Sequence, residues 1–304
     1  MIAVAAAGAV LTAATVAATT TTTKITTASD IDAVEDDNDS NNTGVVSDDN
    51  GDHVSTNSNN KNDNLTLFDP EKKEIAMQLV SSAENSSTDW QAQYAYIEDI
   101  SDNRGYTGGI IGFTSGTSDM LMLIQYYTQI KPDNILAKYI PALNKVVGTA
   151  SHEGLDPTFI ADWKAAANDD SVFRQAQDHE RDVFYFNPSV KQAQDDGLGV
   201  LGQFIYYDAM VMHGPGDDPL SFGGIRAAAM SKAKTPAQGG NETVYLNAFL
   251  DARKAAMSKE AARWDTSRID TEQRVFLQQG NLDLSLPLRW QVSGDTYTIY
   301  DDKK

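Results

Sequence analysis

Apolar residues recur at helical spacing along most of the chain that follows residue 70. Pro70 and a charged turn precede Ile75, Leu79 and Ala83, which predicts an amphipathic helix with one buried face. The same periodicity predicts further helices over 119–130, 134–147, 157–167, 172–184, 198–212, 223–234, 243–259 and 271–280. The pattern is typical of a mainly helical protein.

Short extended segments interrupt the helical pattern at two places. Residues 94–100 and 106–113 flank the polar turn Asp102-Asn103-Arg104-Gly105 and are predicted to be strands of a small antiparallel sheet. Residues 289–292 and 296–300 flank Ser293-Gly294-Asp295 and are predicted to form a terminal hairpin. The expected fold class is therefore mainly α (α+β).

Residues 1–66 have a different composition, because Ala, Thr, Ser, Asn and Asp dominate and cannot build an apolar core. Residues 1–18 form an uncharged Ala-rich run that ends in a small-residue cleavage pattern, so we expect a signal-like segment and a secreted, extracellular protein. The run is too short and too rich in Ala to predict a membrane span. We expect residues 19–66 to be a disordered acidic and polar linker or pro-segment, and residues 67–304 to form the folded domain.

The charge of the chain restricts its partners. The net charge is −19, and residues 67–304 carry 33 acidic and 22 basic side chains, which leaves −11 for the predicted domain. Such a surface argues against nucleic acid and favours a polycation, although simple acidic solubility is an equal alternative. The chain has no Cys, which excludes disulfides, a thiolate nucleophile and Cys-based zinc sites. We expect a monomer.

Two carboxylates in unlike surroundings indicate acid–base chemistry. Glu84 comes at the end of the first predicted helix, beside its apolar face and within reach of Trp90 and Tyr94. Apolar surroundings disfavour a charged carboxylate, which suits a proton donor. Asp102 lies in a polar turn beside Arg104, where the ionised form is favoured and a general base is expected.

Long runs of the sequence carry a resemblance to a known family. SSAENSS, YIEDI, RGYTGGIIGF, YYDAMVMHGPGDDP, FLDARKAAM and TSRIDTEQRVFL occur in order between about residue 69 and residue 300. In these runs the chain resembles the family 46 glycoside hydrolases, the secreted bacterial endo-chitosanases. The resemblance implies a two-lobed, lysozyme-like domain with a central cleft that hydrolyses the β-1,4 links of chitosan with inversion. It implies no metal and no cofactor.

The resemblance also assigns site residues. It implies that Glu84 is the general acid and Asp102 the general base, with Thr107 helping to hold the attacking water. Predicted substrate-binding residues are Arg104, Gly112, Asp119, Tyr185, His213, Gly214 and Glu260. Two of these have plain alternatives, because Asp119 could be a helix-start acid and His213 an ordinary loop histidine. Trp264 is a departure from the family, in which we expect an acidic residue in the cleft.

Asp208 has almost only apolar neighbours in LGQFIYYDAMVM, so its carboxylate needs a cationic partner. The resemblance implies that Arg253 and Arg268 supply it and that the three residues support Glu84 from behind. A purely structural salt bridge is an equally good interpretation from the residues alone.

Three other functions are alternatives for parts of this sequence. Gly197, Gly199 and Gly202 satisfy GxGxxG, but no buried strand precedes them, so we reject dinucleotide binding and expect close helix packing. A lysozyme-like hydrolase of chitin or peptidoglycan would keep both carboxylates but would need apolar room for acetyl groups. A non-catalytic polysaccharide-binding protein would keep the cleft and tolerate the loss of Glu84.

Overall fold

The computed structural model describes residues 65–260 and 265–301. The predicted signal-like segment and most of the predicted linker lie outside these residues. None of the helices in the described part of the chain is both long and apolar enough to cross a membrane.

Helices dominate the described residues. In chain order the elements are α1 (Pro70–Asn85), β1 (Ile97–Asp99), β2 (Tyr106–Gly108), β3 (Phe113–Thr114), α2 (Asp119–Ile130), α3 (Ile140–Val146), α4 (Phe159–Asp169), α5 (Ser171–Arg181), α6 (Asn187–Asp195), α7 (Val200–His213), α8 (Phe222–Met230), α9 (Glu242–Glu260), α10 (Arg274–Gln278), β4 (Leu288–Val292) and β5 (Asp295–Ile299). The prediction of a mainly helical protein with small antiparallel sheets is confirmed.

Two separate hydrophobic cores divide these elements into two lobes. The larger core contains α1, α6–α9, α10 and β4, with Trp290 and Phe204 at its centre, and Leu67 already belongs to it. The smaller core contains the three-stranded sheet and α2–α5, with Trp163 and Leu123 fully buried. Along the chain, α1 belongs to the larger core, the sheet and α2–α5 belong to the smaller core, and the helices from α6 onward belong to the larger core again.

The three-stranded sheet is shorter than the sequence predicts. Residues 90–95 form a 3-10 helix instead of the start of a strand, and only β1 is extended. Residues 109–112 form a turn between β2 and β3, in which Gly109 and Gly112 have φ of +78° and +72°. A Cβ at Gly109 would lie 2.5 Å from Gln177 Oε1, so both the backbone angle and the close packing require glycine here.

Two π-helical segments were not predicted. The segment Asp182–Phe186 continues α5 directly into α6, a helix that the sequence analysis did not predict. Pro188 has no N–H to donate to the preceding turn, and it directly follows the π-helical segment, where the regular i→i−4 pattern is already interrupted. The second segment, Arg268–Gln273, precedes α10, and four of its six residues are buried.

The glycines of the GxGxxG pattern serve packing, as the sequence indicated. A Cβ on Gly202 would lie 2.7 Å from Leu198 Cβ, and Gly199 N donates a 2.7 Å hydrogen bond to Glu242 Oε1. These glycines let the start of α7 approach the start of α9 closely.

Candidate active site

Glu84 lies in the last turn of α1, which ends at Ser86 in a left-handed conformation. The apolar face of the helix is buried in the larger core, and this leaves the Glu84 side chain 11% exposed at the edge of that core. Its Oε1 accepts a 2.6 Å hydrogen bond from Arg268 Nη1. A buried guanidinium therefore orients the predicted proton donor.

The aromatic residues expected beside Glu84 have other polar partners. Trp90 Nε1 donates to both carboxyl oxygens of Glu74 at 3.2 Å, and Tyr94 OH donates to Asp178 at 2.8 Å. In the structure Arg268 hydrogen-bonds Glu84 directly. The sequence analysis expects Arg268 to bind Asp208 and to support Glu84 from behind.

Asp208 lies at the centre of a buried ionic network. Arg268 Nη2 donates to Oδ1 at 2.5 Å, while Arg253 Nη1 and Gln273 Nε2 donate to Oδ2 at 2.5 and 2.6 Å. Burial by itself would raise the pKa of Asp208, but the two guanidinium groups and their hydrogen bonds hold it well below the usual range. Asp208 is therefore a permanent anion that fixes both arginines.

His213 belongs to the same network. It is the last residue of α7, is 1% exposed, and its Nε2 accepts a 3.3 Å hydrogen bond from Arg253 Nε. Gly214 follows with φ of +72° and ends the helix, its N–H bonding to Met210 O at 3.0 Å. The structure thus places the His213 side chain against the buried network, whereas the resemblance implied that it lines the cleft.

Asp102 lies in a tight turn of the smaller lobe, between β1 and β2. Ser101, Asn103 and Gly105 all have positive φ, and Asp102 is held between them. Its Oδ1 accepts a 3.0 Å hydrogen bond from Arg104 N, and its Oδ2 accepts one of 2.7 Å from Arg104 Nε. The neighbouring guanidinium therefore fixes the direction of the predicted base.

Thr107 lies on β2, the strand that follows this turn. Its register partners are Glu98 on β1 and Thr114 on β3. The side chain is buried, and within the described part of the chain Thr107 Oγ1 has no hydrogen-bond partner. A buried hydroxyl without a protein partner is costly, which is consistent with a group kept to bind something else.

The charges of Asp119 and Arg104 both act on Tyr185. Oδ1 of Asp119 accepts hydrogen bonds from Thr114 N and from its own helical turn, and burial raises the pKa of this carboxyl despite those bonds. Burial also raises the pKa of Tyr185, with a further contribution from the charge of Asp119 and an opposing one from Arg104. Asp119 is thus both the helix-start acid of α2 and a neighbour of Tyr185.

Comparisons with known proteins identify the family. The sequence profile of glycosyl hydrolase family 46 matches residues 78–288. A chitosanase of Streptomyces sp. (strain N174) is 70% identical over 233 residues, which cover 77% of this chain and 84% of the relative. The chain belongs to glycosyl hydrolase family 46.

Solved structures of the family share the fold. A chitosanase co-crystallised with substrate superimposes with a TM-score of 0.74 at 59% identity and covers 77% of this chain and 99% of its own. A Gynuella sunshinyii family 46 chitosanase in complex with chitotetraose has a TM-score of 0.69 at 35% identity and covers 75% and 96%. The predicted two-lobed, lysozyme-like domain of a glycoside hydrolase is confirmed.

The remaining predicted binding residues differ in how they can be placed. Gly112 lies in the turn between β2 and β3, where its N–H donates to Gly109 O at 3.3 Å. Glu260 is the last residue of α9, and its side chain, like Trp264, lies outside the described residues. Their predicted roles in binding sugar stay predictions.

Sequence reasoning missed two members of the Asp208 network. Gln273 donates to Asp208 and accepts a 3.3 Å hydrogen bond from Arg253, and Glu272 beside it is fully buried. Both follow Arg268 in TSRIDTEQ, where an α-helical pattern would place Glu272 on the same face as Arg268 but Gln273 on another. The π-helical turn brings them to one side, and the amino-acid types alone carry no signal for it.

Proposed function

We propose that this family 46 hydrolase cleaves β-1,4 links between glucosamine units of chitosan, within the chain and with inversion at the anomeric carbon. The proposal rests chiefly on one observation: two carboxylates, Glu84 and Asp102, are each oriented by an arginine and are carried by different lobes. The 70% identity to a Streptomyces chitosanase supports the choice of substrate.

Glu84 would act as the general acid. Arg268 binds its Oε1, so the proton for the departing glycosidic oxygen would be carried on Oε2. Asp208 binds Arg268 in turn and is itself held by Arg253, and this fixes the direction of the Glu84 carboxyl. A preset direction lowers the cost of reaching the reactive geometry.

Asp102 would act as the general base that activates water on the opposite face of the sugar. Its carboxylate is held by Arg104, and the unpartnered hydroxyl of Thr107 would accept or donate a hydrogen bond to the same water. A glucosamine unit lacks the acetyl oxygen that could attack its own anomeric carbon, so an enzyme carboxylate has to activate the nucleophile. This reaction needs no metal or organic cofactor.

Charge complementarity would select the cationic polymer. The chain carries a net charge of −19, and Asp119 lies beside Tyr185 in the region of Arg104. Asp119 and Glu260 would bind ammonium groups, and Tyr185 would pack on a sugar. Gly112 and Gly214 would let backbone approach the polymer.

Release of reducing ends separates this proposal from its rivals. Fully deacetylated chitosan, chitin and peptidoglycan should be compared, and we expect turnover of chitosan alone. Turnover of chitin or peptidoglycan instead would indicate the lysozyme-like alternative. Binding of chitosan without any release of reducing ends would indicate a non-catalytic polysaccharide-binding protein.

We further propose that the protein acts as a secreted, extracellular monomer that binds neither nucleic acid nor membrane. The signal-like composition of residues 1–18 and the acidic surface support this, and the tail over 19–66 would be a linker or pro-segment. Size-exclusion chromatography and the N-terminal sequence of the mature protein would test both parts.

A further inference from the structure

Glu272 is a buried carboxyl group for which the proposed reaction has no role. It lies in the π-helical segment Arg268–Gln273, four residues after Arg268, and is 0% exposed. Among residues 65–260 and 265–301 neither of its carboxyl oxygens has a hydrogen-bond partner, and the same holds for Arg268 Nε. The nearby Gln273 amide is already committed to Asp208 and Arg253.

Charged groups from several elements act on Glu272. They are Asp208 on α7, Arg253 on α9 and Arg268 on the same π-helical segment. Arg268 is bonded in turn to Glu84 on α1, and Arg253 to His213 on α7. The strand β4 packs on this segment too, and its one charged residue, Arg289, is exposed. These groups define the cluster whose charge decides the state of Glu272.

The charges of this cluster balance only if one carboxyl group is protonated. Arg253 and Arg268 supply two positive charges, while Glu84, Asp208 and Glu272 could supply three negative ones. His213 adds no charge, because its Nε2 accepts a hydrogen bond from Arg253 and therefore carries no proton. Asp208 accepts hydrogen bonds from both arginines and from Gln273, so it stays ionised. A buried cluster with net charge is strongly disfavoured, and the one remaining proton must therefore lie on Glu84 or on Glu272.

We propose that Glu272 is a positioning residue that shares one proton with Glu84 across Arg268. When Glu84 holds the proton for the glycosidic oxygen, ionised Glu272 balances the two arginines. When Glu84 is ionised, Glu272 is neutral. After each turnover the pair regains one proton from solvent, so one carboxyl–proton bond forms for each that was broken. The inference rests on the proposed role of Glu84.

One further observation supports this exchange. Burial and the charge of Asp208 raise the pKa of Glu272 well above its ordinary value, against the opposing charges of Arg268 and Arg253, and this favours the neutral form of the carboxyl group. Interacting groups of this kind titrate as a pair.

The pH profile of kcat/KM for the wild type and Glu272→Gln tests the proposal. Gln keeps the size but cannot ionise, so protonated Glu84 loses its balancing charge and we expect the alkaline limb to move about one unit or more to lower pH. Glu242→Gln is the matched control, because Glu242 is a half-buried carboxyl bonded to Gly199 N outside the cluster. Superimposed profiles, or a uniform loss of rate at every pH, would overturn the proposal.

A second measurement does not depend on activity. Carbon-13 NMR of labelled Glu carboxyl groups should show one resonance that titrates abnormally high in the wild type, assigned by its loss in Glu272→Gln or its shift in Glu272→Asp. In Glu84→Gln this titration should move about one unit lower, since a neutral neighbour no longer opposes ionisation. An unchanged titration contradicts the coupling. An active Glu84→Gln enzyme would instead contradict the proposed general acid and leave the coupling intact.

Discussion

Arg268 Nη1 donates a 2.6 Å hydrogen bond to Glu84 Oε1, although the two residues are 184 positions apart in the sequence. The second terminal nitrogen of Arg268 is bonded to the fully buried Asp208. One carboxylate therefore fixes the guanidinium and the other is fixed by it. Asp208 thus has a structural role in the network, while Glu84 is the member for which a catalytic role is proposed.

Glu84→Gln tests the general acid directly. The amide can still accept from Arg268 but has no proton to give, so we expect turnover of chitosan to fall by at least about 10²-fold with the fold and sugar affinity retained. Reducing-end release, circular dichroism and calorimetric binding are the measurements. Glu74→Gln is the control, because Glu74 is an exposed residue of the same helix and should leave turnover unchanged. Retained activity in Glu84→Gln would place the donor elsewhere.

Thr107→Val tests the role of the unpartnered hydroxyl. Valine has nearly the same shape and removes a buried polar atom without a partner, so stability should stay equal or increase while kcat falls by about 10-fold or more. Thr107→Ser should restore most of the rate because it returns the hydroxyl. Thermal unfolding and kcat are measured on all three proteins. Equal kcat in the valine variant would show that Thr107 is only a strand residue.

Asp208→Asn tests the energetic importance of the buried network. Removing its charge leaves Arg253 and Arg268 buried without a counter-ion, and we expect the free energy of unfolding to fall by about 3–5 kcal/mol. Asp251→Asn is the matched control, since Asp251 is 74% exposed in its pair with Arg274 and should change stability by about 1 kcal/mol or less. Urea unfolding gives both values. If both variants lowered the free energy of unfolding by a similar amount, the Asp208 network would stabilise the larger lobe no more than an exposed salt bridge does.

Most of the secondary structure was predictable, and the exceptions have local causes. The amphipathic stripe of α1 and the apolar run of α2 were found because their periodicity is strong. The strand expected over 106–113 breaks at Gly109 and Gly112, whose positive φ values make a turn that alternation alone does not reveal. The π-helical segments have no periodic signature of their own, and α6 was missed with them.

The site was predicted less completely than the fold. That buried Asp208 needs cations follows from its apolar neighbours, and the structure supplies Arg253 and Arg268 as partners. The place of Gln273 beside Arg268 could not be predicted, because it lies five residues later and depends on the wider π-helical turn. The direct contact of Arg268 with Glu84 depends on packing between distant parts of the chain, which a single sequence does not specify.

Salt should weaken the binding of chitosan. If Asp119, Glu260 and the acidic surface bind ammonium groups, raising ionic strength above about 0.1 M screens those charges and lowers affinity. Calorimetric titration with a glucosamine oligomer over a salt series measures the slope, and Asp119→Asn should make the slope shallower. Salt-independent binding, or equal turnover of fully acetylated polymer, would favour the lysozyme-like alternative.

The stereochemistry of the product tests the separation of the two carboxylates. Glu84 is carried by α1 in the larger lobe and Asp102 by the β1–β2 turn in the smaller one, so under the proposed mechanism the two groups would approach the substrate from different sides. Water fits between a base and the anomeric carbon when the carboxyl groups are roughly 6.5–9.5 Å apart, whereas a nucleophilic carboxylate needs about 5–5.5 Å.

With water as the nucleophile, one displacement converts the β-link into an α-product. Proton NMR of freshly cleaved glucosamine oligomers should therefore show the α-anomer first, before mutarotation mixes the signals. The Glu84→Gln enzyme supplies the baseline, since any anomer that appears with it comes from the substrate. A β-anomer that appears first would require a covalent sugar–enzyme intermediate, and Asp102 would then be a nucleophile and not a base.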